Sequence, residues 1–266
     1  MAHRCRVGGW CLLLTLTVRA MGAAQGPVPG HRLPDVTVAG KTPCEVHPET
    51  ALETAELWED ARAALTGTLG LVEDHPTLLV QEWRRWLSPN FRLRWERRDT
   101  SSVTTLHPFE KPTPASVERD GYIQQHGWTT VFYGPDAGLL LSERFLRRHC
   151  FSRLPGEGAT AGLVGLAFTP LPTTRTVDVA GVLWVDPTGR ALRHVEYVWI
   201  NAPEEVRALG VGGRTDFARL ASGGWIIQRW NIRMPQPVAG LGRMFDGYTD
   251  QGGEVLAVGA ARRRPD

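Results

Sequence analysis

Hydrophobic side chains recur along the chain with two periods, one typical of helices and the other typical of strands. In residues 49–66 they return about every 3.6 positions, which predicts an amphipathic N-terminal helix. Residues 136–151 repeat this spacing and predict a second, shorter helix, or a helix with a strand-like exit. Most of the chain between residues 91 and 258 alternates with a period of two, which predicts β-strands.

Turn sequences rather than helices separate most of the predicted strands. The strands cover residues 91–103, 122–125, 129–133, 162–169, 179–185, 191–200, 215–220, 225–234, 246–248 and 254–258. Turns at Asp186–Gly189, Ala221–Gly224 and Gln251–Gly253 predict three hairpins, which favour an antiparallel meander. Leu78–Leu87 is ambiguous, since LLVQEWRRWL fits either a short amphipathic helix or a strand.

These elements predict an α+β fold, with a long N-terminal helix packed on a curved antiparallel sheet and a second short helix. Large sheets tend to curl, so we expect a half-barrel-like meander of seven or more strands. Residues 44–258 are long enough for a single domain. Residues 25–43, rich in proline and glycine, predict an extended segment with a strand at residues 35–39. Residues 259–266 predict a disordered basic tail.

Residues 1–24 have the layout of a secretory signal peptide, with two arginines, a short apolar run at residues 10–18 and small residues at the predicted cleavage site. The run is too short to span a membrane, and no later segment approaches the ~20 apolar residues that a spanning helix needs. Cys5 and Cys11 lie too early for a lipid anchor. We therefore expect export across the inner membrane, to the periplasm or the outer-membrane periphery, and no transmembrane segment in the mature chain.

Export would change the charge and the cysteine content. The segment carries three of the 30 basic residues, which leaves 27 against 28 acidic ones and gives no general case for nucleic-acid binding. It also carries two of the four cysteines, so Cys44 and Cys150 remain. In an oxidising compartment such a pair is expected to form a disulfide. The alternative is a reactive thiol at Cys150, beside His149.

The familiar catalytic and cofactor motifs are missing from the sequence. It has no G-x-S-x-G, H-E-x-x-H, P-loop or C-x-x-C pattern, so we expect no catalytic residue, bound metal or cofactor. His194 and Glu196 alternate along a predicted strand and share a face, but two ligands do not complete a zinc site. The preferred interpretation is that these are two polar side chains at the surface of the sheet, facing neighbouring strands.

Tryptophan is the most suggestive residue type, because several tryptophans fall on predicted strands. The preferred interpretation is that they form core; the alternative is an apolar cavity, enclosed by a curved sheet, that holds a lipid or acyl chain. A third interpretation is exposed tryptophan stacking on sugars. The residues that would line the core or cavity are Trp58, Trp184, Trp199, Ile226, Trp230 and Ile232.

Several segments together resemble the C-terminal region of bacterial envelope proteins called carboxypeptidase regulatory-like domain-containing proteins. They are DVTV (35–38), Cys44, LWEDARAAL (57–65), HCF (149–151), GLVGLAF (162–168), GVLWVDPTGRALRHVEYVW (181–199), GGRTDFARLASGGWIIQRWNIRMP (212–235) and GYTDQGGEVL (247–256). The resemblance implies an envelope location and a cysteine pair matching Cys44 and Cys150. It does not imply peptidase activity, because the family name refers to a non-catalytic N-terminal module, which we expect to be missing here. Residues 71–89 look like an insertion against the family pattern.

The order of helix and meander is also similar, more loosely, to the half-barrel of periplasmic lipoprotein carriers and related sigma-factor regulators. The leading hypothesis is therefore a non-catalytic envelope protein that binds an apolar ligand, or a lipidated or membrane partner, through its curved sheet. An accessory or scaffold subunit of an outer-membrane complex is the second hypothesis. A hydrolase with an unrecognised site is the third.

Overall fold

The computed structural model describes residues 44, 48–69, 77–104, 112–127, 129–203, 206, 211–237 and 245–259. Within these residues the chain is mainly an antiparallel sheet with a few helices, which is the coarse α+β class that the sequence predicts. The predicted signal peptide, the strand at residues 35–39 and the tail from residue 260 lie outside the described residues.

Among the described residues, four α-helices lie between residues 48 and 148, before most of the sheet strands in the chain. They are α1 (Pro48–Leu69), α2 (Pro114–Asp120), α3 (Ala137–Leu140) and α4 (Glu143–Arg148). One stripe of α1 is buried, because Leu57, Ala61, Ala64 and Leu65 follow the helical period. The three short helices each begin at a side chain that accepts a hydrogen bond from a backbone N–H three residues on. These capping residues are Thr113, Asp136 and Ser142.

Across the ranges that the structure describes, nine strands form one antiparallel sheet, and two more form a separate hairpin. The strands are β1 (Leu78–Leu87), β2 (Leu93–Val103), β3 (Ile123–His126), β4 (Thr129–Phe132), β5 (His149–Pro155), β6 (Val164–Pro170), β7 (Asp178–Asp186), β8 (Ala191–Ile200), β9 (Gly212–Arg219), β10 (Trp225–Pro237) and β11 (Phe245–Val258). The order in the large sheet is β2-β1-β11-β10-β9-β8-β7-β6-β5, while β3 pairs with β4.

The sheet is a meander from β5 to β11, to which the earlier hairpin β1–β2 is added beside β11. The segment Leu78–Leu87, ambiguous in sequence between helix and strand, is a strand because it pairs on both sides. Helix α1 has its main contacts with β5, β6, β7, β8 and β10. We call the side of the sheet that α1 covers the helix face, and the other side the opposite face.

A main apolar core lies between α1 and the helix face. Its fully buried members include Leu65 of α1 together with Leu166, Phe168 and Leu183 of the sheet. A second, smaller apolar cluster consists of Leu78, Val80, Ile226, Trp230 and Val255. The covered part of the sheet is therefore held mainly by apolar burial.

The hairpin predicted at Gln251–Gly253 is wrong, because β11 continues unbroken through these residues. The two glycines are recesses for tryptophan rings rather than turn residues. A Cβ on Gly252 would lie 2.5 Å from the Trp83 ring, and a Cβ on Gly253 would overlap the Trp230 ring. A glycine inside a strand often marks such a close approach.

A disulfide joins Cys44 to Cys150, as the sequence predicts. It links the residue four positions before α1 to β5, the strand at one edge of the large sheet. The alternative of a reactive thiol at Cys150 is therefore wrong in this structure. In the described part of the chain, none of the helices has the length and apolar character needed to cross a membrane.

Candidate functional site

One row of directly paired residues crosses all nine strands of the large sheet on the helix face, and its side chains change from apolar to charged along the row. Under α1 the row is apolar, and at the far edge it ends in two arginines. From β5 to β2 its members are Phe151, Phe168, Gly181, Tyr197, Gly213, Ile232, Gln251, Arg84 and Arg97. Strands β11, β1 and β2 are not among the main contacts of α1. Their helix face is the candidate site.

Three successive rungs of the β1–β2 pair place like side chains opposite one another on this face. Trp86 pairs with Trp95, Arg84 with Arg97, and Glu82 with Asp99. We call these six residues the edge ladder. Trp86 is 38% exposed and Trp95 is 47% exposed, although large aromatic side chains are normally far more buried. The edge ladder is thus an exposed surface with an aromatic rung, a cationic rung and an acidic rung.

The arginines of the edge ladder are held only lightly by their neighbours. With the amide oxygen of Gln251 turned toward it, Arg84 donates from Nε and Nη2 over 3.1 Å each. Arg97 contacts Asp99 with 2.8 Å between Nε and Oδ2, and both side chains are more than half exposed. Such an exposed pair contributes about 0–1 kcal/mol. Both guanidinium groups can therefore engage an external anion.

Arg94 belongs to the same surface. Its guanidinium carbon lies 5.3 Å from the centre of the Trp86 ring, and its Nη1 is 3.0 Å from Oδ2 of Asp246. The Trp86 indole N–H donates to the carbonyl oxygen of Asp246 over 3.3 Å. Asp246 therefore fixes both the arginine and the indole, and one face of the Trp86 ring is occupied by a cation.

On the opposite face of the same strands, side chains of opposite charge are paired directly with one another. The directly paired row Arg233, Asp250, Arg85 and Glu96 alternates in sign across β10, β11, β1 and β2. Asp250, only 2% exposed, accepts from Arg233 over 3.1 Å and from the Trp83 indole over 3.0 Å. Each buried charge has an opposite neighbour, so this face is internally compensated.

Glu96 at the edge of this row is tied to two arginines. It accepts from Arg85 over 2.6 Å and lies 3.0 Å from Arg98. Burial alone would raise the pKa of Glu96, but the hydrogen bonds from Arg85 and Arg98 outweigh it and hold that pKa below its ordinary value. The guanidinium groups of Arg85 and Arg229 also lie over the Trp83 ring. The opposite face of the hairpin is therefore a structural network.

The interpretation of His194 and Glu196 as surface residues is wrong, because both are buried in a further ion-pair cluster on the opposite face. Arg214 binds Glu196 over 2.7 Å and Asp216 over 2.6 Å, and His194 lies 3.6 Å from Glu196. Burial opposes the charge of Arg214, but the hydrogen bond to Asp216 and both carboxylates raise its pKa overall. Across the described residues, no three histidine, cysteine or acidic side chains are grouped to hold a metal ion.

The six residues proposed from sequence as core or cavity lining do not form one site. Trp58 and Trp199 pack with the main core, where Trp58 contacts Phe151 and Trp199 donates to the Tyr133 carbonyl oxygen. Ile232 is also in the main core, whereas Ile226 and Trp230 are in the second cluster. Trp184 is buried on the opposite face, beside His194.

Sequence reasoning missed the edge ladder because Leu78–Leu87 was ambiguous. Once this segment is known to be a strand, alternation places Arg84 and Trp86 on one face and Trp83 and Arg85 on the other. The partner residues Trp95 and Arg97 alternate in the same way along β2. The signal was therefore present in the alternation, but the pairing register was not.

No protein-family model, curated protein or solved structure matches the chain. Its function has to be inferred from the geometry of its own residues.

Proposed function

We propose that this protein is a non-catalytic envelope protein that binds a lipid, or a lipidated or membrane partner, on the helix face of β11, β1 and β2. The observation that carries the proposal is the exposed Trp86–Trp95 rung on strands beyond the main contacts of α1. Tryptophan, with an apolar body and a polar N–H, is the side chain enriched where proteins meet the interface of a membrane.

The aromatic rung is continuous with the core. Trp95, Trp86, Thr249 and Met234 are directly paired neighbours across β2, β1, β11 and β10, and Met234 packs against the main core. An apolar group on the two tryptophans would therefore extend the row of side chains under α1. We infer that the nine strands curl as a half-barrel, so that this surface is the open continuation of a concave face.

The compartment fits the same proposal. The Cys44–Cys150 disulfide favours an oxidising environment, and the predicted signal peptide directs the chain there. The resemblance to envelope proteins points to the same location. A surface that binds lipid is then placed beside membranes and lipidated proteins.

The test compares the native protein with the double variant W86T/W95T on phosphatidylcholine vesicles and on a fluorescent acyl probe. Threonine keeps the strand propensity and removes the exposed rings. We expect about tenfold weaker binding of the variant, because two half-exposed aromatic side chains lose their contact with lipid. L52T, which alters a side chain that is 72% exposed on α1, is the control and binds as the native protein does. A native protein that ignores vesicles and probe alike would refute the proposal.

The scaffold hypothesis uses either an exposed sheet edge or the entry segment at residues 25–43, and of the strands that the structure describes β2 is such an edge. Its charged residues oppose pairing with a further strand, since charge on an edge strand prevents such association. These residues are Arg94, Glu96, Arg97, Arg98 and Asp99. The hydrolase hypothesis would need free titratable groups, whereas both carboxylates of the His194 cluster bind Arg214. Lipid binding is therefore the better supported function.

A further inference from the structure

We propose that the edge ladder is specific for an anionic membrane surface, with Arg84 and Arg97 on lipid phosphates and the tryptophan rung at the interface beside them. This inference rests on the proposed function and adds the charge of the lipid to it.

The two faces of the β1–β2 hairpin differ in how their charged side chains are paired. On the opposite face, the row Arg233, Asp250, Arg85 and Glu96 alternates in sign, so the charges satisfy one another. On the helix face, Arg84 stands directly opposite Arg97. Like charges in directly opposed positions destabilise a strand pair. A bound anion that accepts from both guanidinium groups would remove this repulsion.

Arg84 and Arg97 already have partners within the protein, but neither partner shields the arginine from solvent. Arg84 donates to an uncharged amide oxygen of Gln251, and the ion pair of Arg97 with Asp99 is exposed to solvent. Arg84 is thus bound to an uncharged group and the carboxylate on Arg97 is itself exposed, so both guanidinium groups remain accessible from solvent. An arginine fork can hold a phosphate through two parallel hydrogen bonds, so the cationic rung matches a pair of phosphate groups or one shared phosphate.

The β1–β2 hairpin as a whole has a net positive charge. Residues 78–103 contain six arginines against three acidic residues, whereas the whole chain is almost neutral at +2. The edge ladder itself is balanced, with Arg84 and Arg97 against Glu82 and Asp99, so the excess positive charge of the hairpin is carried by the arginines around the edge ladder. A basic surface with exposed tryptophan is the composition that binds anionic lipid surfaces.

A membrane fits this surface better than a glycan does. Sugar stacking needs a free ring face, and on Trp86 the Arg94 guanidinium already covers one of the two faces. The edge position also favours a flat partner, because among the described strands β2 has a neighbour on one side only. Competition with dextran sulfate distinguishes an anionic glycan from a membrane.

The test measures cosedimentation of the purified protein with vesicles of phosphatidylcholine alone and of phosphatidylcholine mixed with phosphatidylglycerol. We expect tighter binding to the mixed vesicles, and R84Q/R97Q should lose about 25-fold on these vesicles, about fivefold for each arginine near an anionic surface. The same variant should bind pure phosphatidylcholine as the native protein does. The preference should weaken in high salt, which screens the charges.

R62Q/R147Q is the control of equal charge, because Arg62 and Arg147 are exposed arginines on α1 and α4. It should keep the preference for anionic vesicles. Equal binding of the native protein to both vesicle types, or an equal loss in both double variants, would overturn the inference and leave the proposed function standing. No binding to any vesicle would refute both. Displacement from the vesicles by inorganic phosphate, or tighter binding to dextran sulfate than to vesicles, would also overturn it.

Discussion

At the residue scale, two adjacent glycines show how the sheet accommodates large rings on both of its sides. Gly252 receives the Trp83 ring on the opposite face, and Gly253 receives the Trp230 ring on the helix face. Glycine inside a strand is otherwise unfavourable, since it loses more backbone entropy than other residues. The recesses compensate for this cost by allowing both tryptophans to be buried.

The recess at Gly253 gives a direct prediction. Gly253→Ala should lower the free energy of unfolding by about 1–3 kcal/mol, because the added methyl group overlaps Trp230 and the ring must move. Urea denaturation measures the change. Gly138→Ala is the control, since its Cβ would meet only an ordinary 3.4 Å contact. Combining Gly253→Ala with Trp230→Phe should cost less than the sum of the two changes. Strict additivity would contradict the recess.

At the element scale, the β1–β2 hairpin is stabilised by the ion pairs of Glu96 and should respond to acid. The pKa of Glu96 is lowered in the folded state, so the unfolded chain takes up the proton first. The stabilisation by Glu96 is therefore complete above its ordinary value of about 4.3. It is lost as the pH falls through the lower folded-state value.

Glu96→Gln tests this pH dependence. The variant should be less stable than the native protein at neutral pH, and the difference in urea midpoint should shrink as the pH falls below about 4. In an Arg85→Gln/Arg98→Gln background the pH dependence of the Glu96→Gln effect should reverse, because the hydrogen-bond donors are gone and the burial that remains raises the pKa of Glu96. A difference that grew in acid would show that the sign is wrong.

The elements also show what the sequence could and could not predict. The strands β6 to β10 follow from alternation and turn chemistry, and all were predicted close to their observed places. The break at Gln251–Gly253 was wrong because a glycine pair in a turn and a glycine pair under tryptophans look alike in sequence. The edge ladder depends on β1 lying between β11 and β2, a pairing between distant segments that no local pattern encodes.

The six residues chosen from sequence show the same limit at a site. Alternation assigns a face only within one strand, and β10 has a register shift between Ile227 and Arg229. Ile226 and Ile232 lie on either side of this shift and end in different apolar clusters. The disulfide was easier to predict, because composition and compartment alone single out Cys44 and Cys150.

At the scale of the whole molecule, the disulfide connects the start of α1 to the edge of the sheet farthest from the hairpin. Cys44 and Cys150 are 106 positions apart, so the bond closes a loop that contains α1, β1, β2 and the β3–β4 hairpin. In the chain-entropy model, a loop of this length contributes roughly 4–5 kcal/mol by restricting the unfolded state. On this entropic basis the bond stabilises the fold as a whole and not one face of the sheet.

Cys44→Ser/Cys150→Ser should accordingly lower the free energy of unfolding by about 4 kcal/mol, measured by urea denaturation under non-reducing conditions. Native protein treated with a reductant should show the same loss, which separates the cross-link from the side-chain changes. Because β1 pairs with β11 and with β2, and neither β1 nor β2 pairs with β5, the edge ladder should survive removal of the bond. The folded variant should then bind anionic vesicles as tightly as the native protein. If a fully folded variant lost vesicle binding, the binding surface would instead depend on the position of α1.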